Sequence, residues 1–185
     1  MTIPTIGTLE PLPAAERPDL LADPVRKALA GWERAGGVGV FEIDPELADT
    51  QALTDAYDLP LAASANCVVV AGRRGGDERI AACVVTADRR ADVNNLVRRM
   101  LDVRKASFLS TDRAVEETSM EYGGITPIGV PARWRLLVDA SVARLDVAII
   151  GSGVRRSKLL LSGADLAAYP GAELVDGLGL PVQPR

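Results

Sequence analysis

Nine residues, Gly123 to Pro131, hold three glycines and two prolines, and no other stretch limits the fold as tightly. Gly123 and Gly124 let the backbone turn sharply and approach a neighbour with no Cβ in the way. Pro127 and Pro131 fix φ at two points and remove two amide donors. The segment follows a helical pattern (Ala114, Val115, Thr118) and precedes a strand pattern (Trp134 to Val138). A rigid loop at such a junction is where a scaffold presents binding groups. A tight connector with no ligand is the other reading that the composition allows.

The chain of 185 residues suffices for one sizeable core. Residues 1–19, with Pro4, Pro11, Pro13 and Pro18, read as an irregular leader, and residues 20–185 as a single domain. A helix is expected after Asp23, with Pro24 at its first position and Val25, Leu29 and Trp32 on one face, stopped by Gly36-Gly37. Val38 to Ile43 reads as a strand, and Asp44-Pro45 opens a helix that carries Leu53 and Tyr57. Two apolar strands, 67–71 and 80–85, form a hairpin around a turn at Gly72–Gly76. Asp92 caps a helix whose buried face is Val93, Leu96, Val97, Met100 and Leu101. A strand at 106–109 and a helix capped by Ser110-Thr111 lead into the glycine-proline loop. Strands at 134–138, 146–150 and 158–161, a short helix from Ser162 and an edge strand at 173–175 complete the order. This order predicts an α+β fold with a mixed, largely antiparallel, barrel-like sheet surrounded by helices.

The absences narrow the chemistry. The chain has no histidine, which excludes a Ser-His-Asp or Cys-His system within it. Cys67 and Cys83 do not make a zinc cluster. They read as buried free thiols, with pairing across the hairpin as the alternative. No metal and no cofactor are expected. A net charge of −4 exerts no global pull on nucleic acid. Arg98, Arg99, Arg104 and Arg113 either touch RNA backbone or form a solvated helix face, the simpler reading. Glu116, Glu117 and Glu121 likewise read as a solvated face before an acid–base pair. Arg73-Arg74-Gly75-Gly76 lacks the Gly-Lys-Ser/Thr ending of a phosphate loop. No apolar run approaches the about 18 residues that cross a bilayer. The N-terminus also lacks a basic region followed by an apolar core, so a cytoplasmic protein with no membrane association is expected.

Three further stretches complete a recognisable set. Cys67-Val68-Val69-Val70 leads to a hairpin, and Asp88-Arg89-Arg90-Ala91-Asp92 leads a helix. Gly151-Ser152-Gly153-Val154-Arg155-Arg156 runs into Leu159-Leu160-Leu161-Ser162. Together with Gly123-Gly124-Ile125-Thr126-Pro127-Ile128-Gly129, in this order and spacing, they resemble the YbaK/EbsC family of aminoacyl-tRNA deacylases. That family is similar to the editing domain inserted in bacterial prolyl-tRNA synthetase. The resemblance covers roughly residues 24–175. It implies a trans-editing hydrolase that cleaves the ester between a wrong amino acid and the terminal adenosine of tRNA, with no histidine and no metal. The implied partner is mischarged tRNA, engaged at its acceptor end, with a synthetase or an elongation factor as transient partners.

The resemblance also assigns roles. Gly123, Gly124, Ser152 and Gly153, with Asn66, are the implied catalytic group: backbone amides hold the ester carbonyl, Ser152 orients water or binds the amino group, and Asn66 stands where a lysine serves the adenosine phosphate. A preorganised amide donor of this kind is worth roughly 3 kcal/mol. Ile125, Thr126, Pro127, Gly129 and Gly151 line the aminoacyl pocket, and Arg155 and Arg156 clamp the terminal phosphate. Read from the residues alone, the adjacent arginines also fit a solvated hairpin, and Ser152 fits a turn satisfied by local backbone. One position departs from the family. A lysine stands there just before the first hairpin strand, in an Ala-Lys-Thr setting, where this chain has Ala65-Asn66-Cys67. Asparagine donates neutral hydrogen bonds, and losing a charge-assisted one costs on the order of 1.5 to 3 kcal/mol. Either Lys158 or an arginine supplies the charge, or the chain is a catalytically impaired protein that binds tRNA or aminoacyl-nucleotide.

Overall fold

The two glycines at the tip of the hairpin determine the length of its strands. The structure, a computed structural model, describes residues 2–182. In it Gly75 and Gly76 both take positive φ, which is what a two-residue turn between twisted strands requires. Arg74 then faces Asp77, and the ladder runs back to Ala65 opposite Thr86. Each strand is therefore ten residues long, and Gly72, expected in the turn, lies inside the ladder opposite Arg79.

Around this hairpin the chain runs β1 (Leu12–Pro13), α1 (Asp23–Ala30), β2 (Gly39–Glu42), α2 (Thr50–Tyr57), β3 (Ala65–Arg74), β4 (Asp77–Thr86) and β5 (Arg89–Ala91). It continues with α3 (Arg98–Met100), β6 (Ala106–Phe108), α4 (Thr111–Thr118), β7 (Arg135–Asp139), α5 (Ala140–Ala143), β8 (Ala148–Gly151) and β9 (Ser157–Leu161). It ends with α6 (Gly163–Ala167), β10 (Ala172–Val175) and β11 (Gly179–Pro181). Five strands form one sheet in the order β10-β7-β4-β3-β6, and four form another in the order β1-β2-β9-β8. β7 runs parallel to both β4 and β10, and the other pairs of these two sheets are antiparallel. The fold is mixed α+β, as expected. The sheets do not close into a barrel: one parallel bridge, Ser64 to Ile149, links the two larger ones among the described residues.

The main core lies between the two large sheets, where Val69, Val84, Val138, Ile150, Leu159 and Leu161 meet. The opposite face of β4 supplies Ala81, Cys83 and Val85 to a second core with Val97, Leu101 and Leu178. Burial on both faces explains why residues 80–85 read as a continuous apolar run. A third cluster, with Phe41, Leu53 and Leu160, sits beneath α2. Cys67 and Cys83 are both free. Cys67 opposes Val84 and Cys83 opposes Val68, so the thiols point to opposite faces of the hairpin.

Several helix boundaries differ from expectation for local reasons. α1 ends at Ala30 with Gly31 as its C-cap, and Gly36-Gly37 belongs to a separate 3₁₀ turn. The helix expected after Asp44 forms in two steps. Asp44 caps a 3₁₀ turn over Pro45–Ala48, and Asp49 then caps α2 through the Gln51 amide. Asp92 caps a π-helical turn over Val93–Val97 that runs into α3. Residues 2–19 are mostly irregular, yet Leu12–Pro13 pairs with β2, and Leu9 and Ala14 are buried. The β5–β11 ribbon has no counterpart in the sequence reading, because each of its strands is three residues long.

Candidate active site

α4 ends where Ser119 takes a left-handed conformation, which turns the chain toward the two glycine segments. There the loop and the Gly151–Arg156 turn interlock. The Gly153 amide donates to the Gly124 carbonyl at 2.8 Å, and the Glu121 amide donates to the Gly153 carbonyl at 2.8 Å. The Gly124 amide donates back to the Glu121 carbonyl at 2.9 Å, and the Glu121 carboxylate accepts from the Arg155 amide at 2.6 Å. Gly124 has to be glycine, because a Cβ there would lie 2.7 Å from the main chain of Val154. Gly151 is held to the same requirement by the carbonyls of Gly124 and Ile125.

This unit forms one wall of a cleft of about 570 Å³. The start of β3 supplies Asn66, Cys67 and Val69, and the N-terminus of α2 supplies Asp49 and Thr50. Phe108 and Leu109 border the cleft, and Tyr122, Gly123, Ile125, Gly151, Arg155 and Lys158 lie along the loop-and-turn side. The Thr50 hydroxyl donates to Asn66 Oδ1 at 3.1 Å, which orients the Asn66 amide and leaves its NH₂ group for a ligand. The Gly123 amide has no acceptor among the described residues. Arg155 lies 5.7 Å from the centre of the exposed Tyr122 ring and donates to the Pro45 carbonyl at 3.1 Å.

Lys158 is the charged group buried deepest in this wall, with 9% of its surface exposed. It stands on β9 opposite Gly151. Its ammonium donates to the Ala48 carbonyl at 2.9 Å and approaches the Gly123 carbonyl at 3.5 Å, so one of its three protons is left for the cleft. Burial, and then the charge of Arg155, lower its pKa to about 8, while Asp49 pulls the other way. Burial also raises the pKa of the Cys67 thiol, which keeps it a neutral part of the lining.

Other residues expected at the site lie outside the cleft lining. The Gly124 amide is taken up within its own loop by the Glu121 carbonyl, and the Gly153 amide by the Gly124 carbonyl across the interlock, so neither is left for a carbonyl ligand. Ser152 is buried, its hydroxyl 2.7 Å from that of Ser157 and bonded to the Ser157 carbonyl at 3.0 Å. Thr126 and Pro127 are buried behind the lining. Gly129 packs against Pro24 at the start of α1, and its amide donates to the Tyr169 hydroxyl at 3.2 Å. Arg156 points away, donating to the Asp19 carbonyl at 2.5 Å, so the two arginines do not form a pair. Glu117 is held by Arg113 and Arg133, each at 2.6 Å, and those partners keep its pKa low. Among the described residues no three His, Cys, Asp or Glu side chains are grouped to hold a metal ion.

The same segments carry the likeness to known proteins. A model of the aminoacyl-tRNA editing domain matches residues 44–169, more than half of the chain. The chain belongs to this family. The match runs from the Asp44 cap to Tyr169 and so includes every residue that borders the cleft. An uncharacterised protein of Bacillus subtilis (strain 168), YwhH, is 26% identical over 145 residues, 78% of this chain and 88% of that one. Among solved structures, a candidate trans-editing enzyme for prolyl-tRNA synthetase is similar with a TM-score of 0.69 at 18% identity, covering 84% of this chain and 97% of its own. The hypothetical protein APE2540 is similar with a TM-score of 0.73 at 16% identity, covering 85% and 100%. These two likenesses are of fold. Asn66, expected from the resemblance to replace a lysine, and the buried Lys158 lie in the same cleft. Lys158 was nameable from the sequence as a substitute cation but not placeable. Its one signal is a lone charge inside the apolar run 157–161.

Proposed function

We propose that this chain is a free-standing trans-editing deacylase that hydrolyses the ester of mischarged aminoacyl-tRNA. The observation that carries the reading is the convergence on one cleft of a buried ammonium and an unengaged amide, Lys158 and Gly123. The cleft volume falls in the range of small-molecule sites. Ester hydrolysis develops negative charge on the carbonyl oxygen, and donors already fixed in place stabilise it. The Gly123 amide and the Lys158 ammonium are the donors assigned to that oxygen. Asn66, oriented by Thr50, donates a neutral hydrogen bond where the family has a charged one. Arg155, at the rim, takes the terminal phosphate alone. The attacking water is assisted by the vicinal ribose hydroxyl, and the departing ribose oxygen takes up a proton as the ester bond breaks. No side chain of the general-base type is needed, which suits a chain without histidine. The substrate is met at the acceptor end of the tRNA, and synthetase or elongation-factor contacts are transient.

Incubation with a panel of mischarged tRNAs tests this. Release of amino acid from at least one, above buffer hydrolysis, is expected. No release from any, with tRNA binding retained, would establish the second reading that Asn66 favours, a binding protein that has lost catalysis. In an active protein, Asn66→Lys is expected to raise kcat/KM about tenfold to a hundredfold, the value of one charge-assisted bond. An unchanged or lower value would mean that the cleft is built around asparagine, with Lys158 as its cation.

A further inference from the structure

Beside the cleft lies a second groove of about 440 Å³, and Phe108 and Leu109 form the rim between them. Arg73, Arg104, Lys105 and Arg113 border this groove, against a single carboxylate, Glu78. On a chain of net charge −4 this is a local concentration of cations. Glu78 is held by Arg113 at 2.8 Å and by Arg73 at 3.7 Å. Arg104 and Lys105 make no ion pair among the described residues, so their charge is available to a ligand. Phe108 is 62% exposed, although it sits on the edge strand β6 opposite Val70. The next amide, of Leu109, donates to the Val69 carbonyl at 2.8 Å, which fixes the backbone that carries the ring.

An exposed aromatic face held on a strand, next to a groove in which two of the four cations make no ion pair among the described residues, has both parts of a single-stranded nucleic-acid site. Bases stack on the ring, and phosphates follow the positive groove. We propose that the 3′-terminal single strand of the RNA leaves the cleft over Phe108, with one base stacked on the ring and the next phosphates against Arg104 and Lys105. This rests on the deacylase reading for what occupies the cleft, and adds the direction in which the strand runs. The groove contacts backbone and so positions the strand without reading sequence. An acidic peptide would use the same cations but has no need of the Phe108 face.

Fluorescence anisotropy of the full chain with a short 5′-labelled single-stranded RNA ending in CCA tests the path. Phe108→Ala is expected to weaken binding about tenfold, and Phe108→Trp to retain it, because stacking needs only a ring face. The double variant Arg104→Gln, Lys105→Gln should weaken binding and reduce the slope of log affinity against log salt by about 1.4, two single-strand phosphate contacts. Arg90→Gln, on the separate strand β5, should change neither. Wild-type binding by Phe108→Ala and by the double variant would overturn the path. So would an equal loss with Arg90→Gln. Displacement of the RNA by polyglutamate with no effect of Phe108→Ala would point to an acidic protein partner instead. The binding readout is independent of turnover: absence of deacylation sinks the reading of the cleft, while unaltered RNA binding in these variants sinks the path.

Discussion

At the residue scale the cleft depends on the charge state of Lys158. Its pKa is lowered to about 8 by burial and by Arg155. If the ammonium stabilises the developing oxyanion, deacylation falls as pH rises through about 8. Lys158→Met should then lower kcat/KM about tenfold to a hundredfold and remove that alkaline limb. The same shift has a stability sign. Between pH 8 and 10.5 the unfolded chain binds a proton that the folded chain has released, so stability rises with pH across this window. Below pH 8 the penalty, on the order of 3 kcal/mol, is fully present. Urea unfolding of wild type against Lys158→Met should therefore show the wild type gaining relative stability from pH 8 to pH 10. A constant difference would mean that Lys158 titrates like a surface lysine. Asn66 was legible as a candidate because the strand that starts at Cys67 fixes its position, and it does border the cleft. Lys158 was not, because which cation faces a cleft depends on strands that meet only in the fold.

At the scale of elements, the loop and the turn are one unit. Both glycine motifs stand out in the sequence, and the strands and helices that carry them are close to where hydrophobic period and caps put them. Which amides stay free is a different matter. The Gly124 amide is taken up by the Glu121 carbonyl and the Gly153 amide by the Gly124 carbonyl, while the Gly123 amide has no acceptor among the described residues. Thr126 and Gly129 belong to the same motif but lie behind the lining: Thr126 is buried, and Gly129 packs against Pro24 and donates to Tyr169. A motif thus mixes lining and support, and only the packing of its neighbours separates them. Gly124→Ala tests the interlock. Its Cβ would lie 2.7 Å from the Val154 main chain, so a loss of about 1–3 kcal/mol in urea unfolding is expected, together with a fall in deacylation. Gly36→Ala, whose Cβ would meet nothing within 4 Å, should stay within about 0.5 kcal/mol of wild type. Equal behaviour of the two would remove the case for close backbone contact at the site.

Across the whole molecule, carboxylates tie distant segments together, and their burial decides which ties matter. Glu173 meets Arg135 between β10 and β7 at 2.5 Å, and Asp165 meets Arg34 at 2.9 Å, but these side chains are partly solvated and such pairs contribute little. Asp139 is different: it is 2% exposed and ends β7. It accepts from the Ser141 amide at 2.8 Å and from the Gly179 amide at 2.7 Å, with the Ser141 hydroxyl as a further donor. One carboxylate therefore caps α5 and holds β11 to the five-stranded sheet, beyond the end of the family match at residue 169. Burial works to raise its pKa, but the hydrogen bonds from Ser141 and Gly179 outweigh it and the pKa is lowered. A lowered carboxylate pKa contributes stability that is present above the unfolded value and lost as pH falls through the folded one. The wild type should thus lose stability progressively below about pH 4. Asp139→Asn should cost about 1.5–3 kcal/mol at neutral pH and flatten this acid limb. Glu173→Gln should cost less than about 1 kcal/mol and leave the limb in place. Urea midpoints measured from pH 3 to pH 7 decide between them. A full acid slope in Asp139→Asn would place the acid-sensitive tie among the surface pairs, and the C-terminal strand would then be held by its pairing with β5 and the packing of the buried Leu178.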